Sequence, residues 1–286
     1  MEPSTTTNLV LSPDAPIDLQ MHTTYSDGIW TPEQLIDYLV NEQFALAAIT
    51  DHERLDTAVA LQQLAAQKQL PLLIAAEMST SWNGELTDVL CYGFDPQGKD
   101  LNNLAQDALR RQHEITQEVY AKLLGKGYTF PRKLEVLGES GGEPRDGNDL
   151  VRLLVHHGYG SDTESPGHIV FDAGYFYATS DLAAVVDAVH RGGGVCLIAH
   201  PGRGKGFTRY DASLLNQLRR EIPIDGFEAY YPAHTAEQTA MYLNYAEEHH
   251  LLTSSGSDSH GPFNKPIKYR AALSQRLLER LGIQIK

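Results

Sequence analysis

The sequence predicts an α/β fold built on a parallel sheet with crossover helices, and two observations predict it. Strand-like and helix-like runs alternate as β-α-β-α-β over roughly the first third of the chain, and the rhythm returns near the end. Five apolar runs also stop on carboxylate or imidazole side chains. These are Asp18-Leu19-Gln20-Met21-His22, Ile49-Thr50-Asp51-His52, Leu72–Ala76 followed by Glu77, Ile198-Ala199-His200-Pro201, and the run before Ser257-Asp258-Ser259-His260. Such groups are costly in an apolar interior unless paired or bound to metal. Their recurrence at strand ends points to one convergent site at one end of the sheet, where parallel α/β proteins keep their chemistry.

Residues 1–16 are polar, rich in Thr and Pro, and read as a loose tail with no apolar signal-peptide core. Ile17–Met21 follows as a strand. Thr31-Pro32-Glu33 opens a helix, with Thr31 as N-cap and Pro32 in the first helical position. Ala45–Thr50 is a strand, Thr57–Gln67 a helix, Leu70–Ala76 a strand and Asp88–Tyr92 another.

The rhythm then breaks. Leu101 to about Leu124 reads as a long polar helix, Gly138–Gly147 as turns, and Asp149–His157 as a short helix. Residues 100–178 are therefore expected to form a small helical insertion lobe between 17–99 and 179–286, closing over a substrate and setting its size. Tyr175-Phe176-Tyr177 reads as strand core. After the insertion, Ser180 is expected to cap a helix to about Arg191, stopped by Gly192-Gly193-Gly194. Val195–Ala199 is a strand, Ala212–Arg220 a helix, Gly226–Ala229 a strand, Ala236–His249 a helix and Leu252–Ser255 a last strand.

The 286 residues suffice for a sizeable core, and 42% hydrophobic with 21% charged residues is ordinary for a globular protein. The net charge of −14 argues against a broad basic surface for long nucleic acid. A small anionic ligand remains compatible where metal ions supply local positive charge. Cys91 and Cys196 lie in apolar runs and read as buried free thiols, not a disulfide framework. No apolar run is long enough to span a bilayer, so a cytoplasmic protein is expected. The sequence carries no signal of oligomeric state.

His22, His52, His200 and His260, with Asp27, Asp51, Glu77, Asp88 and Asp258, form a mixed imidazole and carboxylate set. Such a set suits Zn²⁺, Mn²⁺ or Fe²⁺ better than Mg²⁺ or Ca²⁺, which prefer all-oxygen shells. Neighbouring cations need a bridging anion, and Glu77 is the candidate. Multi-metal sites activate water at neutral pH and clamp phosphoryl oxygens.

Two loops add candidates for substrate contact. His234, in Tyr230-Tyr231-Pro232-Ala233-His234, follows a strand end and is expected either to touch substrate or to cap the next helix. Gly202-Arg203-Gly204-Lys205-Gly206 lacks the Walker spacing. Its Arg203, Lys205 or nearby Arg209 is expected to meet a substrate phosphate, Arg203 first. There is no Gly-x-Ser-x-Gly elbow and no activated cysteine, which disfavours Ser or Cys nucleophiles.

These motifs, in this order, resemble the PHP (polymerase and histidinol phosphatase) superfamily of metal-dependent phosphoesterases. Its first motif is usually Asp-Leu-His-x-His-(Ser/Thr) followed by Ser-Asp-Gly. The corresponding text here is Asp18-Leu19-Gln20-Met21-His22-Thr23 with Ser26-Asp27-Gly28. Thr50-Asp51-His52, Glu77, Ala199-His200-Pro201 and Gly256-Ser257-Asp258-Ser259-His260 match the later motifs. The pattern is similar to the subgroup with a helical insertion, which includes nucleotide phosphatases and small exonucleases.

The resemblance implies a distorted (β/α)₇ barrel and two or three divalent metals. His22, Glu77 and Asp258 would hold one, Glu77 and His200 a second, and Asp27, His52 and His260 a third, with Asp51 orienting a ligand. Two positions depart from the pattern. Gln20 stands where the first family histidine is expected, so the first metal is weak, water-completed or absent. Asp88 stands where relatives often carry His, and as a carboxylate it favours Mn²⁺ or Fe²⁺ over Zn²⁺.

The implied activity is hydrolysis of a phosphomonoester of a small nucleotide or similar metabolite by metal-activated water. The alternatives are a short-oligonucleotide 5′-3′ exonuclease, a binding module that has lost catalysis, and C–N hydrolysis by the same chemistry.

Overall fold

The computed structural model describes residues 6–161, 164–204 and 206–286. In chain order the elements are β1 (Val10–Leu11), β2 (Pro16–Asp18), α1 (Pro32–Asn41), β3 (Leu46–Ala48), α2 (Ala58–Gln67), β4 (Leu72–Leu73), β5 (Ala75–Trp82) and β6 (Glu85–Tyr92). The helices α3 (Lys99–Gly125), α4 (Lys133–Val136), α5 (Gly147–His156) and α6 (Pro166–Asp172) follow. Then come β7 (Ser180–Asp181), α7 (Leu182–Arg191), β8 (Val195–Ile198), α8 (Ala212–Glu221), β9 (Gly226–Tyr230) and α9 (Ala236–His249). The chain closes with β10 (Leu252–Ser255), β11 (Tyr269–Arg270), α10 (Gln275–Arg280) and β12 (Gln284–Ile285).

One compact unit comprises the residues up to Ala105 together with Thr179–Lys286. Its helices α1, α7, α8 and α9 start where side chains satisfy orphan backbone donors. Thr31 and Gln34 form a reciprocal capping box at α1, a feature worth about 1 kcal/mol. The apolar side of α1, Leu35, Ile36 and Leu39, packs with Met21, Ile49 and Leu61. At α7 the cap is Asp181, one residue beyond the expected Ser180, and its carboxylate accepts the Ala184 N–H.

The main sheet runs β10-β9-β8-β6-β5-β7 and a second runs β11-β2-β3-β4. The main sheet is mixed, where the sequence predicts a parallel one. β6 pairs antiparallel with both β5 and β8. The cause is a two-residue hairpin at Asn83-Gly84, whose φ values of 53° and 82° are the left-handed pair that such a turn requires. Glu77 therefore does not end a run: it is the third residue of the eight-residue β5. Ser79 registers opposite Asp88, so period-two alternation puts Glu77, Ser79 and Asp88 on one face.

Backbone bonds join the two sheets at two places. Leu19 N–H donates to the Ser255 carbonyl at 3.1 Å and Asp258 N–H to that of Gln20 at 3.0 Å. Glu77 N–H donates to the Thr50 carbonyl at 3.1 Å.

The expected loose tail carries β1, which pairs in parallel with β12, and Leu11 is buried. Leu11 packs with Ile17, Leu277 and Ile283, so an apolar partner supplied from near the other end of the chain orders this stretch.

Gln106–Ala178 forms the second compact unit. It is helical around Val119, Leu123, Phe130, Leu150, Leu153 and Ile169. Asp146 caps α5, and Ser165 with Pro166 starts α6. Tyr175-Phe176-Tyr177 is not strand core: Phe176 and Tyr177 are 61% and 52% exposed. Tyr175 instead accepts the Gly147 N–H on its hydroxyl. Among the described residues no helix is long and apolar enough to cross a membrane.

Candidate metal centre

The centre is assembled from segments that follow β2, β3, β8 and β10, together with Glu77 and Asp88 inside the β5–β6 hairpin. The segment after β2 delivers Gln20 and His22, then folds back on itself. A Cβ on Gly28 would lie 2.4 Å from the His22 carbonyl oxygen, so only glycine permits the return that places Asp27 beside His22. Asp51 holds this turn. Its carboxylate accepts the Thr23 N–H at 2.6 Å, the Thr23 hydroxyl at 2.7 Å and the Ser26 hydroxyl at 2.8 Å. These partners of Asp51 are a backbone N–H and two hydroxyls, with no imidazole among them.

Eight of the candidate ligands meet. His22 is fully buried, its Nε2 3.2 Å from Glu77 Oε2 and 3.3 Å from Asp258 Oδ1, its Nδ1 3.6 Å from Asp27 Oδ1. Neither ring nitrogen has a partner of hydrogen-bond geometry. His200 Nε2 lies 3.2 Å from Glu77 Oε1 and 3.8 Å from Asp88 Oδ2. His260 Nε2 lies 3.2 Å from Asp27 Oδ2. The His22 ring stacks between those of His52 and His260, with centroids 4.9 and 4.3 Å away. Three groupings bring potential ligand atoms within 4.8 Å of one another: His22-Asp27-His52, His22-Asp258-His260 and Glu77-Asp88-His200.

Charge and burial oppose each other here. Burial disfavours the charged form of His22, yet Asp258 and Glu77 push its pKa well above the usual imidazole value. Burial likewise works against His52, but Glu77 and Asp27 raise it to about 9. Glu77 is held well below the usual carboxylate range by His52, His200 and His22 despite its burial. Burial and the neighbouring Glu77 raise Asp88 to about 7. Acidic and imidazole groups held this way, with open lone pairs, fit divalent cations. His200 and Asp258 have φ of 29° and 53°, a left-handed conformation that non-glycine residues adopt at a cost of about 1–3 kcal/mol and that clusters at functional sites.

Other expected residues land elsewhere. Gln20 faces Glu77 through its amide nitrogen, donating to Oε2 at 2.9 Å. His234 uses both ring nitrogens on the backbone: Nε2 accepts the Gly202 N–H at 3.1 Å and Nδ1 meets the Ala229 carbonyl at 3.2 Å. It fastens the loop after His200. Arg203 sits at the rim, its guanidinium 3.8 Å from Asp258 Oδ2 and over the Phe207 ring. Arg209 is exposed, and Lys205 lies outside the described residues.

Sequence reasoning missed three polar residues around the centre. Glu228 on β9 is fully buried and accepts the His200 N–H at 3.1 Å. Burial, with Asp258 close by, raises its pKa well above the usual value. A lone acid inside Gly226-Phe227-Glu228-Ala229 was the available signal. Glu53 accepts the Ser79 N–H at 2.5 Å, and the Tyr231 hydroxyl donates to Asp258 Oδ2 at 3.4 Å.

Mixed-sheet architecture and clustered strand-end ligands define an α/β protein with an imidazole–carboxylate centre. The chain belongs to the PHP domain family, whose sequence pattern matches residues 18–281. It is 28% identical over 261 residues to the 3′,5′-nucleoside bisphosphate phosphatase of Chromobacterium violaceum, covering 87% of this chain and 88% of that protein. It is 28% identical over 262 residues to the 5′-3′ exoribonuclease Rnm of Salmonella typhimurium, covering 86% and 85%. A solved amidohydrolase structure from Chromobacterium violaceum superimposes with a TM-score of 0.75 at 24% identity, covering 93% of this chain and 97% of that one.

Proposed function

We propose that this chain is a metal-dependent phosphoesterase that hydrolyses a phosphomonoester of a small nucleotide or similar metabolite. The observation that carries this reading is Glu77, whose two carboxylate oxygens reach separate imidazoles, His22 and His200, each 3.2 Å away. A carboxylate shared in this way suits two adjacent cations. His22, Glu77 and Asp258 would hold one ion, Glu77, Asp88 and His200 a second, and Asp27, His52 and His260 a third. Bound Mn²⁺, Zn²⁺ or Fe²⁺ supplies Lewis acidity toward phosphoryl oxygens and lowers the pKa of water.

The protein's own groups do the rest. Arg203 offers a guanidinium to the phosphate at the rim. Tyr231 supplies a hydroxyl donor beside Asp258. His234 and Gln238 grip Gly202 at its N–H and carbonyl, holding the loop between His200 and Arg203. The backbone bonds joining the two sheets support a distorted (β/α)₇ barrel. Cys91 and Cys196 are free thiols, which supports a cytoplasmic setting.

Purified protein supplied with Mn²⁺ is expected to release phosphate from a nucleotide panel, and His200→Ala to abolish the release. A fully metallated sample inert on monoesters and diesters alike would overturn the reading. The exoribonuclease relative favours a second reading, a short-oligonucleotide exonuclease. Faster turnover of dinucleotides than of mononucleotides would select it.

A further inference from the structure

Glu77 Oε2 is claimed from two sides. His22 Nε2 faces it at 3.2 Å, and the fully buried Gln20 donates an amide N–H to it at 2.9 Å. The reverse amide orientation would set one oxygen against another, so the nitrogen belongs on Glu77. Gln20 therefore occupies a Glu77 lone pair through Nε2, an atom that has no lone pair of its own to give a cation.

The other positions are better supplied. His260 Nδ1 lies 2.8 Å from the Asp258 carbonyl, which holds the proton there and turns Nε2 toward Asp27 Oδ2, 3.2 Å away. Glu77 Oε1, Asp88 and His200 surround another position with three side chains. The position between His22, Asp258 and Glu77 Oε2 has the buried Gln20 amide donor on that oxygen, whereas at Asp27 the Ser26 hydroxyl meets Oδ1, at 3.3 Å, and leaves Oδ2 to His260.

We infer that Gln20 is a positioning residue for Glu77, not a ligand, and that it divides the centre into two firm ion positions and one exchangeable position. The inference rests on the phosphoesterase reading above.

The test uses Mn²⁺ alone as probe, with bound metal counted after exchange into metal-free buffer and affinities taken from titration. The wild-type protein is expected to retain two ions and to bind a third at least tenfold more weakly. Gln20→His, which replaces the donor with an imidazole, is expected to retain three. Gln20→Met, which removes both donor and oxygen, is expected still to retain two. Three equally tight wild-type ions, or a folded Gln20→His protein that retains only two, overturns the inference. Loss of a firm ion in Gln20→Met also overturns it, because Gln20 would then be a ligand. A wild-type protein that binds no ion overturns the phosphoesterase reading itself, whereas the other failures leave that reading standing.

Discussion

Gly202 and His234 are locked together: the Gly202 N–H donates to His234 Nε2 at 3.1 Å, and a Cβ on Gly202 would lie 2.8 Å from the His234 ring. The contact ties the loop carrying His200 and Arg203 to the segment after β9. His234→Ala is expected to lower kcat/KM about tenfold, roughly 1.4 kcal/mol of lost positioning, while leaving metal content unchanged. Steady-state kinetics beside metal analysis checks this, and a loss of bound metal would contradict it.

The same histidine sets an acid limit. Burial lowers its pKa, and the nearby His200 adds to the effect. The unfolded chain therefore takes up this proton more readily than the folded one. Stability tied to His234 is present above the unfolded imidazole pKa of about 6.5 and is lost as pH falls below it. Urea titrations from pH 7 down to pH 5 are expected to show a shallower loss for His234→Ala than for wild type.

Asp51 is expected to matter for folding of the His22–Asp27 turn more than for the chemical step. Asp51→Ala strands the Thr23 N–H and two hydroxyls, at a cost of about 2–4 kcal/mol. A lowered Tm with a largely retained kcat in the metal-saturated protein is the expected result. A selective collapse of kcat at unchanged Tm would assign Asp51 to the reaction itself.

Ion binding should compete with protons at His52. Its pKa of about 9 in the metal-free protein means that a cation must displace a proton below that pH. Mn²⁺ affinity is expected to rise by up to about tenfold per pH unit between pH 7 and 9 on account of this group. The stability that the raised pKa gives the metal-free protein is full below about pH 6.5 and is lost as pH rises through 9. Titrations at several pH values, compared with His52→Gln, check the slope.

The hairpin offers a fold-level test. Gly84 has φ of 82°, so Gly84→Ala is expected to cost about 1–2 kcal/mol through backbone strain alone. Chemical denaturation measures it, and a neutral result would mean that the turn relaxes to another type.

Elements governed by local chemistry were legible in the sequence. Thr31 with Pro32 places α1, and α9 and β10 fall on the predicted residues because their apolar spacing and caps lie within the segment itself. Elements decided by distant partners were not. β6 reverses direction because Asn83-Gly84 turns the chain, and nothing within Asp88–Tyr92 records that it will lie between β5 and β8. β1 is a strand only because β12 lies beside it. In the centre, strand-end position revealed His22, His52, His200 and His260. The burial of Glu228 and the backbone duty of His234 depend on contacts between β8, β9 and the loops that follow them.

The left-handed backbone at His200 and Asp258 ties the integrity of two loops to whatever those side chains grip. On the proposed reading, chelation removes that grip and leaves the torsional tension unopposed. Arg203, three residues beyond His200, then becomes the point at which trypsin should first nick the chain, and readdition of Mn²⁺ should restore resistance.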